Sequence, residues 1–157
     1  MAGNSLQPSY STAKILWYKE NLPEVYAKID KILQSNSYIA YKLTGVISQD
    51  VSQGYGLHCF DMKKACWDEE MCELLGIPME FLPEICDCDH VIGSVTAKAA
   101  AKCGLSEGTP VVAGGLDAAC GTLGAGVIHP GETQEQGGQA GGMSICCLLY
   151  TSPSPRD

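Results

Sequence analysis

Between Val91 and Gly124 the chain changes period several times, and that alternation limits the architectures open to it. Val91, Ile92, Gly93, Ser94 and Val95 form a short apolar run suited to a strand. Thr96 is a good cap for the helix-forming stretch that follows, and Gly104 can close that helix in the left-handed position. A turn over Glu107, Gly108, Thr109 and Pro110 leads to a second apolar run, Val111 to Ala113. Gly114-Gly115 then turns the chain into a helix predicted over 116–124. Strand, helix, strand and helix in succession predict an α/β domain. Open sheets of this class hold ligands beyond the carboxyl ends of their strands, and Gly114-Gly115-Leu116-Asp117 lies at such an end.

The rest of the chain carries the same kind of punctuation. Ser11 is the expected cap of a first helix through Lys19, and Asn21, Leu22 and Pro23 interrupt it. Leu22, Val25, Tyr26, Ile29, Ile32 and Leu33 recur at spacings of three and four, which predicts an amphipathic second helix with one buried stripe. A third helix is expected over 38–43, ending at Gly45. The stretch 54–60 favours a strand or turn, and Asp68, Glu69 and Glu70 put negative charge at the start of a helix closed by Gly76. After Val127 a turn at His129-Pro130-Gly131 precedes a polar strand over 132–136 and the tract Gly137-Gly138-Gln139-Ala140-Gly141-Gly142. A glycine loop after a strand can approach phosphate closely.

Composition narrows the function classes. Of 157 residues, 18 are acidic and 10 basic, giving a net charge of -8, which disfavours nucleic acid and anionic membranes as partners. No apolar run approaches the roughly eighteen residues of a membrane span, and the start lacks a basic-then-apolar leader, so a soluble cytoplasmic protein is expected. Nine cysteines fall short of a disulfide scaffold and read as reduced thiols.

Among candidate chemical groups, Asp117 stands first: a carboxylate in the first turn of a helix stays ionised and can accept a hydroxyl proton, although a helix-capping role is open at the same position. Neither G-x-G-x-x-G nor G-x-x-x-x-G-K-[ST] occurs, so dinucleotide and P-loop signatures are absent. Cys86, Cys88 and His90 alternate as three metal ligands would, but no paired C-x-x-C supports a zinc site, so ordinary thiols and a surface histidine are expected and no metal ligand is assigned. His58 and His129 have no neighbouring nucleophile in the sequence, and Met71 and Met79 read as core.

The ordered set 14–21 (Lys-Ile-Leu-Trp-Tyr-Lys-Glu-Asn), Leu43-Thr44-Gly45, Asp50-Val51-Ser52, Trp67-Asp68, Leu75-Gly76-Ile77, Leu82-Pro83, Ile92-Gly93 and 108–117 (Gly-Thr-Pro-Val-Val-Ala-Gly-Gly-Leu-Asp) resembles the FGGY carbohydrate kinase family, xylulokinase-like members in particular. The resemblance implies a ribonuclease-H-like, actin-like ATPase fold, present in part, with sugar and ATP meeting in a cleft between two domains. Asp117 matches the family's catalytic base and so would both bind the sugar and deprotonate its hydroxyl, while ATP and Mg²⁺ serve as cofactors. Gly137, Gly138, Gln139, Gly141 and Gly142 fall where the family has a second phosphate-binding turn. Asp50, Trp67 and Asp68 are read as structural.

The implied organisation is a sugar-binding N-terminal domain over 1–128, in its later part, and the start of a nucleotide-binding domain over 129–146. Residues 147–157 resemble the in-frame translation of a sequencing adapter and are set aside as non-native. The family's opening D-x-G-T hairpin does not occur, so Met1 is read as an internal methionine and the piece by itself is expected to be inactive. Small-molecule sugar and ATP are the expected partners, and a homodimer is left open. The acceptor is expected to be D-xylulose. Glycerol, ribulose or gluconate form the same-fold alternative, and a non-catalytic actin-like binding module is the alternative of a different class.

Overall fold

The computed structural model describes residues 5–137 and 141–146, so Gly138 and Gln139 of the glycine tract and the stretch 147–157 lie outside the described residues. The chain divides into two compact units, the first ending at Gly115 and the second beginning at Leu116.

In the first unit, α1 (Ser11–Asn21) and the single turn α2 (Pro23–Tyr26) precede α3 (Ser35–Thr44). Ser11 is the first helical residue and not the cap: Tyr10 holds the cap position, with no side-chain cap bond. The amphipathic helix predicted over 22–33 is largely absent. Pro23 starts a turn of helix as an N1 proline should, and the chain leaves it after Tyr26 because the Ile32 N–H is drawn instead to the Phe81 carbonyl at 2.8 Å. Tyr26 and Ile32 are partly buried against the core but Val25 is exposed, so the apolar period reported burial only in part and helix length wrongly. A helix this short has little stability of its own, and tertiary bonding decides its extent.

Downstream, the local signals hold more closely. Strand β1 (Ser48–Asp50) runs parallel to β4 (Glu84–Cys86), while β2 (Phe60–Asp61) and β3 (Cys66–Trp67) pair antiparallel. Between β1 and β2 a 3₁₀ turn, Val51–Gly56, takes the place of a longer strand. Helix α4 (Glu69–Leu75) is capped by the Asp68 carboxylate, which accepts the Met71 N–H at 3.2 Å, and Gly76 closes it at φ 62. Strand β5 (Val91–Ser94) pairs antiparallel with β6 (Pro110–Val112) across a bulge at Ile92. Between them lies α5 (Ala97–Cys103), whose Thr96 hydroxyl accepts the Ala99 N–H. The core joins α1, the turn before β2, and α4 through Ile15, Leu57, Cys59, Cys72, Ile77 and Leu82.

The second unit is one helix and one hairpin: α6 (Asp117–Gly124), β7 (Thr133–Gln136) and β8 (Gly142–Ile145). The hairpin ladder runs in register from Thr133↔Ile145 to Gln136↔Gly142. The Cys146 N–H donating to the Glu132 carbonyl extends it at the open end.

Candidate active site

Strand β6 ends where its backbone is tied down: the Ala113 N–H donates to the His90 carbonyl at 2.9 Å and the Gly114 N–H to the Cys88 carbonyl at 3.0 Å. Gly114 has φ 85, a conformation that a side chain would strain. The carbonyls of Cys88 and His90 thus serve the exit of the strand. Among the described residues no group of three or more His, Cys, Asp and Glu side chains is placed to hold a metal ion. Burial, then the nearby Glu84 carboxylate, pushes the Cys86 thiol up from its usual range.

Asp117 is the first residue of α6 and is exposed. The cap position belongs to Leu116, which makes no side-chain cap bond, so Asp117 is not the capping residue that its sequence position also allowed. Its Oδ1 accepts the N–H of Ala118 at 2.8 Å, which fixes the carboxylate at the amino end of the helix, where the helix dipole favours a negative charge.

One residue further along, the Ala118 carbonyl carries the link to the hairpin. It accepts a hydrogen bond at 3.0 Å from Nε2 of Gln136, the last residue of β7. A Cβ on Gly121 would stand 3.3 Å from that same nitrogen, so the missing side chain leaves Gln136 its path to the helix. The glycine tract begins at the next residue. Within this unit, the start of the turn and the first turn of the Asp117 helix are therefore adjacent.

Of the other tract residues, Gly142 is a β8 residue paired with Gln136, and Gly137 and Gly141 stand on either side of 138–140 in the chain. A Cβ at any of the three would meet no described atom within 4 Å. Glu132 braces the approach to β7: its carboxylate accepts the backbone N–H groups of His129 and Ile128, each at 2.8 Å, and these bonds hold its carboxyl below the usual range. Sequence reasoning missed Gln136. A glutamine before a glycine run has no spacing signature, and its role exists only once the hairpin lies against α6.

Residues read as structural occupy structural positions. The Asp50 side chain is fully buried and accepts bonds from Asn36 Nδ2 at 2.6 Å, from the Ser52 hydroxyl and from the Gln53 N–H. Trp67 Nε1 donates to the Pro83 carbonyl at 2.6 Å. His58 is buried, with its Nδ1 3.0 Å from the Thr12 hydroxyl, whereas His90 is exposed.

A helix-packed α/β unit followed by a helix bearing a carboxylate and a glycine-turned hairpin defines the class: a partial ribonuclease-H-like, actin-like ATPase fold. Its likeness to the crystal structure of xylulose kinase from Rhodospirillum rubrum has a TM-score of 0.87 at 30% identity, covering 99% of this chain and 32% of that one. Residues 1–124 match the N-terminal domain of the FGGY family of carbohydrate kinases, and the chain belongs to that family. Xylulose kinase of Bacillus subtilis is 33% identical over 154 residues, covering 98% of this chain and 30% of that protein. Autoinducer-2 kinase of Yersinia pseudotuberculosis is 34% identical over 125 residues, covering 80% of this chain and 24% of that protein. The chain therefore spans less than a third of the length of these relatives. No described helix is long and apolar enough to cross a membrane.

Proposed function

We propose that this chain is part of an ATP-dependent carbohydrate kinase in which Asp117 is the catalytic base and a sugar contact. The residue carries the reading because it is exposed, held at the amino end of α6, and one residue from the carbonyl that Gln136 ties to the glycine turn. In the reaction the Asp117 carboxylate takes the proton of a sugar hydroxyl as the hydroxyl oxygen bonds to the γ-phosphorus and the bond from that phosphorus to the β–γ bridging oxygen breaks, releasing ADP. ATP supplies the phosphoryl group and Mg²⁺ spreads its charge. Mg²⁺ would enter as the companion of the nucleotide phosphates. The backbone flanking the turn, Gly137 and Gly141, is proposed to face phosphate oxygens, with Gly138, Gln139 and Gly142 completing the tract.

The domain assignment follows as part of the same proposal: residues 1–128 as sugar-binding domain and 129–146 as the start of the nucleotide-binding one, in a cytoplasmic enzyme. The favoured acceptor is D-xylulose, giving D-xylulose 5-phosphate, because the names of the Bacillus subtilis and Rhodospirillum rubrum relatives support a xylulose-type substrate. The 34% identity to an autoinducer-2 kinase favours, as second reading, a different polyhydroxylated acceptor on the same machinery. A panel of xylulose, ribulose, glycerol and gluconate with the full-length protein separates them by kcat/KM.

Asp117→Asn in the full-length protein is expected to lower turnover about a hundred- to ten-thousand-fold, as loss of a positioned base does, with the fold intact. Because the side chain is exposed, the thermal midpoint should stay within a degree or two of the parent. Near-parental turnover would reject the assignment.

A further inference from the structure

In a chain with 18 acidic and 10 basic residues, one cleft of the first unit is lined by three lysines and no carboxylate. It lies between α3 and α5, has a volume of about 370 Å³, and is formed by Tyr41, Lys42, Gly45, Thr96, Lys98, Ala99 and Lys102. The two helices are joined beside it, the Thr96 N–H donating to the Leu43 carbonyl at 3.0 Å. Ala99 is buried, and Gly45, which closes α3 at φ 81, leaves empty space where a side chain would stand.

Among the described residues the charges in this cleft have no carboxylate partner. Lys98 and Lys102 are four residues apart on α5 and so share one face, where like charges repel. The Lys42 ammonium stands 5.7 Å from the centre of the Tyr38 ring, and among the described residues none of the three lysines has a carboxylate within ion-pair distance. The Thr96 hydroxyl accepts the Ala99 N–H at 3.2 Å, and its own hydrogen remains to donate.

We infer that this cleft binds a small-molecule phosphate monoester, for which glucose 6-phosphate serves as probe. Lysines hold phosphate as point charges, and three of them around one opening suit a dianionic phosphate monoester. The volume is that of a small-molecule site, and Tyr41 and Ala99 offer an apolar wall for the body of the ligand. The net charge of -8 disfavours a polyanionic nucleic acid as the occupant. This site is independent of Asp117 and of the kinase reading.

The test titrates the chain itself, at low ionic strength, with glucose 6-phosphate, inorganic phosphate and glucose, following backbone amides by NMR. Saturable shifts around 41–45 and 96–102 with glucose 6-phosphate are expected, with none from glucose and affinity at least tenfold weaker for inorganic phosphate. Lys98→Gln combined with Lys102→Gln should weaken glucose 6-phosphate binding at least tenfold, and Lys98→Arg should retain it. All three lysines are exposed, so the thermal midpoint of each variant should match the parent, separating lost binding from lost fold. Shifts that never saturate, or unchanged affinity in the double variant, would overturn the proposal and leave solvated surface charges. Inorganic phosphate binding as tightly as glucose 6-phosphate would reject a phosphate monoester as the ligand.

Discussion

Thr12 shows how much one hydroxyl can organise. It is fully buried near the start of α1, and its oxygen accepts the His58 N–H at 2.9 Å while lying 3.0 Å from His58 Nδ1. Tyr10 stands edge-on to the same imidazole at 5.6 Å. Thr12→Val keeps the shape and strands a buried backbone donor and a ring nitrogen. It is expected to destabilise the chain by about 1–3 kcal/mol, read as a lower urea midpoint; an unchanged midpoint would show that water replaces the hydroxyl. The place of Asp117 at a strand end was legible without coordinates, because a glycine pair lies between an apolar strand and a helix, whereas its proposed role came from the family resemblance alone. Thr12, His58 and Gln136 were not legible, since each acts on a partner at least 18 positions away.

At the scale of elements, short turns matter more than long helices. The 3₁₀ turn Val51–Gly56 brings Gly54 so close to Phe60 that a Cβ there would lie 2.6 Å from three atoms of the ring. Phe60 is buried and packs edge-on to Trp67 at 5.6 Å, so the ring has little room to yield. Gly54→Ala is expected to cost about 1–3 kcal/mol through overpacking, seen as a lower thermal midpoint in scanning calorimetry. A neutral or stabilising substitution would mean that the ring can move aside. Caps and stops at Asp68, Gly76, Thr96 and Gly104 were readable because their chemistry is local. The helix expected over 22–33 was misread because the hydrogen bond from Ile32 to Phe81, 49 positions apart, leaves no trace in the period of the apolar residues.

Across the whole molecule, the core of the first unit seals two thiols. Burial, followed by contact with Cys72, pushes the Cys59 thiol far above its usual range, and burial raises Cys72 as well. A raised pKa leaves less thiolate at a given pH, so both should resist iodoacetamide at pH 8 while exposed Cys66, Cys103 and Cys120 react. Peptide mass spectrometry after a short pulse checks this, and denaturant should abolish the difference. Early labelling of Cys59 in the native chain would show that the core opens readily. By itself the sequence determined the α/β class, the stops and caps, the family resemblance and the carboxylate to suspect, because these depend on residues adjacent in the chain. Only the tertiary structure decided where the second helix stops, which polar groups are buried, that Gln136 joins the hairpin to α6, and that three lysines face one cleft. Each of those depends on distances between positions far apart in sequence, which no local pattern encodes.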